Sequence, residues 1–160
     1  MSKLKLEIES AILERLLGKI SVLQSQQEKE HVVLNVISET YGKTVSETFL
    51  QNKVVSELNT DEGRKQFLQD FFSFGIIDEL LYDVNTEDII INALNPIYIH
   101  HTYRGLVKTD KRFSNQRELD VFMKKLIVFA GRKHIRQVNN LELPNIAGRV
   151  NIVQSPFGPQ

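Results

Sequence analysis

Apolar residues recur every three or four positions through the first 74 residues, the spacing of helices that bury one face. Ile8, Ile12, Leu16, Ile20 and Leu23 form one stripe, widened by Leu13 and Leu17. The polar run 24–30 reads as an exposed turn or a helical bridge. Val32, Val33, Val36 and Ile37 resume the pattern, and Gly42 offers a stop. Val45, Phe49 and Leu58 predict a third helix. Thr60 can cap a fourth by accepting a backbone N–H. Phe67, Leu68, Phe71 and Phe72 line the apolar face of that helix, and Gly75 offers the left-handed backbone that ends it.

The pattern changes after Gly75. Residues 76–81 read as a short helix. The β-branched run 88–92 predicts a strand, Asn95-Pro96 a turn, 97–101 a second strand, Tyr103-Arg104-Gly105 another turn, and 106–110 a third strand. Turns this short imply an antiparallel meander. Ser114 can cap a helix reaching Ala130, with Leu119, Phe122, Met123, Leu126, Ile127 and Ala130 on one face. Gly131 stops it, and Arg132, Lys133 and His134 suit the negative end of the helix dipole. Residues 148–154 predict a last strand. The chain stops soon after it, which reads as an interruption of a longer protein. No internal repeat or low-complexity segment occurs. The expected fold is α+β: an N-terminal helical segment, 1–74, followed by an α+β domain, 75–160, whose mainly antiparallel sheet packs with one or two helices.

Composition narrows the class. Hydrophobic residues make up 41% and charged residues 25% of the 160, a globular balance. No apolar run is long enough to span a bilayer. The N-terminus lacks the apolar stretch of a signal peptide. The absence of cysteine excludes disulfides and thiolate metal sites and fits a cytoplasmic protein.

The zero net charge hides an asymmetry. Residues 1–103 hold 9 basic and 16 acidic side chains, a balance of −7. Residues 104–160 hold 11 basic and 4 acidic ones, a balance of +7. The last third therefore attracts anions. Nucleic acid, nucleotide phosphates and the acidic part of a neighbouring copy all fit that charge, as does a merely lysine-rich surface.

Few residues offer chemistry. Tyr41-Gly42-Lys43-Thr44 carries the letters that end a phosphate-binding loop, but Ile37 stands where such a loop needs glycine, inside a helical pattern. Gly42 is read as a helix stop, and these residues alone are not expected to hydrolyse ATP. His100 and His101 alternate across a strand and cannot chelate one ion together. Neither they nor His31 and His134 have the spacing of a metal site. Glu87-Asp88 carries carboxylates that suit acid–base chemistry, and reads more plainly as the polar start of a strand. The arginines are more informative. Arg132 and Arg136 follow a helix end and Arg149 opens a strand, where a guanidinium can grip phosphate oxygens in two-pronged fashion. Surface ion pairs are the plainer reading.

Several segments in order resemble a known family. Gly75-Ile76-Ile77-Asp78-Glu79-Leu80-Leu81-Tyr82-Asp83, then Thr86-Glu87-Asp88-Ile89-Ile90-Ile91-Asn92, then Pro96-Ile97-Tyr98-Ile99-His100, are similar to the N-terminal domain of the secretion ATPases of type II and type IV pilus systems. Gly148-Arg149-Val150-Asn151 resembles the family's G-x-R-V-N, with no residue separating Gly from Arg. The match runs from about residue 73 onward, and the leading helices look like the extension of the tight-adherence and archaellum branches.

The resemblance implies a domain preceding a RecA-like ATPase core, with the Walker motifs, ATP and Mg belonging beyond Gln160 and no cofactor in these residues. It implies as partners that ATPase domain, neighbouring subunits of a hexamer and an inner-membrane platform protein, with no nucleic acid. It places the protein in the cytoplasm, peripheral to the inner face of the membrane. It assigns phosphate contact first to Arg149 and less directly to Arg132 and Arg136. Two other readings stay open: a stand-alone sensory or protein-interaction domain, and a nucleic-acid-binding module built on the basic third, whose aromatic residues are Phe113, Phe122, Phe129 and Phe157.

Overall fold

The computed structural model describes residues 3–41, 60–131, 140–142 and 149–153. The third predicted helix, at Val45, Phe49 and Leu58, lies outside them, as does Gly42. In order, the elements are α1 (Lys3–Leu16), α2 (Gln26–Tyr41), α3 (Asp61–Phe72), a 3-10 turn (Gly75–Ile77), α4 (Asp78–Leu81), β1 (Thr86–Asn92), β2 (Tyr98–His101), β3 (Gly105–Lys108), α5 (Gln116–Phe129), β4 (Asn140–Glu142) and β5 (Arg149–Val153). The class is α+β, with a leading helical segment and a sheet.

The first stripe is shorter than its periodicity predicts. Gly18 adopts φ 75, a left-handed conformation that closes α1 at low steric cost. Ile20 still turns inward, whereas Leu23 is 92% exposed. The polar run beyond it divides, because Ser25 accepts a hydrogen bond from the Glu28 N–H at 3.2 Å and so starts α2. Thr60 caps α3 as expected, accepting from Gly63 N–H at 3.0 Å. That helix stops at Phe72, three residues before Gly75, which instead opens the 3-10 turn. α5 is capped by Asn115, not Ser114. The Asn115 side chain accepts from Glu118 N–H at 2.9 Å, while Glu118 accepts from Ser114 N–H at 3.2 Å. This reciprocal arrangement satisfies two backbone donors at once. Gly131, at φ 74, ends α5 as the sequence predicts.

Among the described residues, five strands form one sheet in the order β3-β2-β1-β5-β4. β1, β2 and β3 make the predicted antiparallel meander. β5 then joins β1 in parallel, with Asp88 opposite Arg149 and Ile90 opposite Asn151. β4 pairs antiparallel with β5 at the edge. The sheet is therefore mainly antiparallel with one parallel pairing, and β4 is a strand that periodicity did not reveal.

Alternation along the central strands puts Ile89, Ile91, Ile99, Val150 and Ile152 on one face. These residues share a continuous apolar core with Phe122, Leu126 and Phe129 of α5, Ile12, Leu13 and Leu16 of α1, and Phe67 and Phe71 of α3. The core thus runs across the junction at 73–75. Its centre is aromatic. Phe71 is fully buried, stacks on Phe67 at 5.6 Å between ring centroids and meets Phe129 edge-on at 5.8 Å.

α1 and α5 are further joined by charge. Arg117 donates through Nε and Nη2 to the two carboxylate oxygens of Glu7, both at 2.8 Å. This two-pronged hydrogen bond raises the already high pKa of the guanidinium. Lys124 reaches Glu14 at 2.6 Å and Ser10 at 2.9 Å.

Candidate functional site

The other face of the sheet carries the polar residues. Because β1 and β5 run parallel, Asp88 and Arg149 come side by side, and Asn151 follows Arg149 on the same face two residues on. Arg149 Nε lies 3.3 Å from Asp88 Oδ1, and Asn151 Nδ2 donates to the same oxygen at 3.1 Å. The Arg149 side chain is 55% exposed, against 20% for Asp88. At that exposure the ion pair contributes about 0–1 kcal/mol, so it orients more than it stabilises. A guanidinium has five N–H donors in a planar fork, and this pairing engages Nε. The outer nitrogens keep the geometry that matches a phosphate or a carboxylate.

The register extends the row across the meander. His100 stands opposite Asp88 on β2, and Leu106 stands opposite His100 on β3. In the next row Tyr98 is opposite Ile90, and Lys108 is opposite Tyr98. His100, Leu106 and Lys108 are exposed. Among the described side chains, this face places Arg149, Lys108 and His100 around the Asp88 carboxylate, and the register sets Glu142 of β4 opposite Arg149.

Of the three predicted phosphate-contacting arginines, Arg149 stands in this row, while Arg132 and Arg136 lie outside the described residues. Glu87 and Asp88 stand at the start of β1, Glu87 exposed and Asp88 in an ion pair with Arg149, the plainer of the two readings of that arginine. Sequence reasoning named Asp88 and Asn151 separately and missed that they meet, with Arg149, at one carboxylate oxygen. Polar residues at alternate positions of β5, 149 and 151, mark one face of a strand. Nothing in the sequence says that β1 is its neighbour.

None of the other described candidates stands in this row. His101 Nδ1 accepts from the backbone N–H groups of Tyr103 at 3.2 Å and Arg104 at 3.3 Å, so this histidine shapes the β2–β3 turn. His31 lies exposed on α2, and His134 falls outside the described residues. Among the described residues, no group of three His, Cys, Asp or Glu is placed to hold a metal ion. Ile37 is buried within α2, so the helix occupies the position where a phosphate loop would need its first glycine. Phe113, Phe122 and Phe129 are all buried and cannot stack on bases, whereas Phe157 lies outside the described residues.

No protein-family model and no curated protein matches the chain. Among the described residues, no helix is long and apolar enough to cross a membrane.

Proposed function

We propose that this chain is the N-terminal regulatory and assembly domain of a secretion-system or type IV pilus assembly ATPase. It would couple ATP hydrolysis by a downstream RecA-like domain to protein secretion or pilus assembly. The reading rests on the ordered resemblance of residues 75–151 to that family. The observation that supports it best is Arg149, half exposed at the start of β5, steadied through Nε by Asp88 and offering its outer nitrogens. In this reading those nitrogens meet the nucleotide phosphates when the domain closes on the ATPase core. A fixed positive charge there stabilises charge developing on the transferred phosphoryl group. Neighbouring subunits of a hexamer and an inner-membrane platform protein are the partners, and the protein works in the cytoplasm at the inner face of the membrane.

The burial of the three phenylalanines counts against the nucleic-acid alternative. A protein-interaction domain remains the second reading. Val84 (81% exposed) and Tyr103 (82% exposed) support it. They project from two loops that are tied together by the Thr102 N–H donating to Asn85 O at 2.8 Å.

The test is Arg149→Ala in the complete gene product. ATP turnover is expected to fall about tenfold or more, with an unchanged melting temperature. Turnover at the wild-type rate would remove Arg149 from this role.

A further inference from the structure

The carboxylate that steadies Arg149 is itself held. Asp88 Oδ1 accepts from Asn151 Nδ2 at 3.1 Å and lies 3.3 Å from Arg149 Nε. Both donors come from one face of β5, and the parallel register sets Arg149 directly opposite Asp88 and Asn151 opposite Ile90. Asp88 therefore reaches across to one partner and along the strand to the next. Asp88 and Asn151 are half-buried, whereas Arg149 is exposed. Freedom of movement thus increases outward, from the amide to the carboxylate to the guanidinium.

Rotamer preference alone does not fix such a carboxylate. The χ2 torsion of aspartate is broad and roughly two-fold, so the plane of the group turns easily unless a donor holds it. The Asn151 amide supplies that donor through Nδ2, because its own carbonyl oxygen would be repelled by the negative charge. Arginine gives up much rotamer freedom when it is held, and an exposed ion pair alone offsets little of that loss. A carboxylate fixed in advance leaves less to be ordered when Arg149 pairs with it. With Nε engaged on Asp88, the pair of outer nitrogens is the edge left for a second anion.

We infer that Asn151 is a positioning residue that acts on Arg149 through Asp88, so that the outer nitrogens of the guanidinium meet the phosphates of a nucleoside triphosphate in one orientation. The inference rests on the reading of Arg149 as a phosphate contact. It carries a sign that charge alone does not. Removing the Asp88 carboxylate makes the site more positive, which favours binding of the anionic nucleotide. The same change frees the guanidinium to wander, which slows the step that needs it in place.

Steady-state ATP hydrolysis by the complete gene product tests this. Asn151→Leu, which keeps the size of the side chain and removes its donor, and Asp88→Ala are each expected to lower kcat about threefold or more without raising KM. In an Arg149→Ala background neither is expected to lower kcat further, since groups that act through one residue are not additive. A wild-type kcat for both single variants, with Arg149→Ala impaired, would overturn the inference and leave the phosphate role of Arg149 standing. So would a loss of the same size in both backgrounds. A wild-type kcat for Arg149→Ala would remove that role and the inference with it.

Discussion

Phe71→Ala is expected to lower the unfolding free energy by about 3–5 kcal/mol, the range for deleting a large aromatic side chain from a packed core. Phe71 is fully buried and contacts the rings of Phe67, Phe72 and Phe129, so the loss is shared between α3 and α5. The surrounding groups cannot readily collapse into the space, because Phe129 is also held by Phe72 and Phe74. Each ring pair adds about 0.5–1.5 kcal/mol beyond area burial. Chemical denaturation of the substituted protein measures the loss. A change below about 1 kcal/mol would mean that α3 does not pack on α5 as described.

Lys125→Met is expected to destabilise the fold by about 3 kcal/mol or more, although methionine has similar length and suits an apolar surrounding. The substitution removes the ammonium that lies 3.7 Å from Glu9 and donates to Ser73 O, and leaves the deeply buried Glu9 carboxylate without that cation. The double substitution Glu9→Gln with Lys125→Met removes both charges and is expected to recover much of the loss. A double-mutant cycle then yields a coupling energy of about 1–3 kcal/mol. Additive effects would show that the two charges do not sense one another.

Much of the architecture is legible in the residues, for identifiable reasons. Thr60 is a strong N-cap and acts as one. Gly131 stops a helix with an unambiguous stripe of Leu119, Phe122 and Leu126. The meander follows from short turns between β-branched runs. Other features depend on long-range pairing, which local pattern does not encode. β4 is only Asn140-Leu141-Glu142, without a β-branched residue, and forms where β5 offers an edge. The parallel β1–β5 pairing joins segments about sixty residues apart and creates the contact between Asp88 and Arg149. Adjacent capping residues blurred another position, since Ser114 and Asn115 both suit an N-cap and only backbone geometry selects Asn115.

The buried charges illustrate a different limit. Lys125 lies three residues after Phe122 and four before Phe129, at a core position of the helical stripe. Glu9 stands next to Ile8 and three residues before Ile12. A stripe read for its apolar members passes over such residues, yet this ion pair links α1 and α5 inside the core.

The assignment to a secretion ATPase is tested most directly by reading the native gene beyond the codon for Gln160. The proposal predicts a continuous open reading frame that encodes G-x-x-x-x-G-K-[ST] roughly 50–120 residues further on, after a strand pattern and before a helical one. A stop codon at or near Gln160, or a long continuation without that phosphate-binding loop, would contradict it.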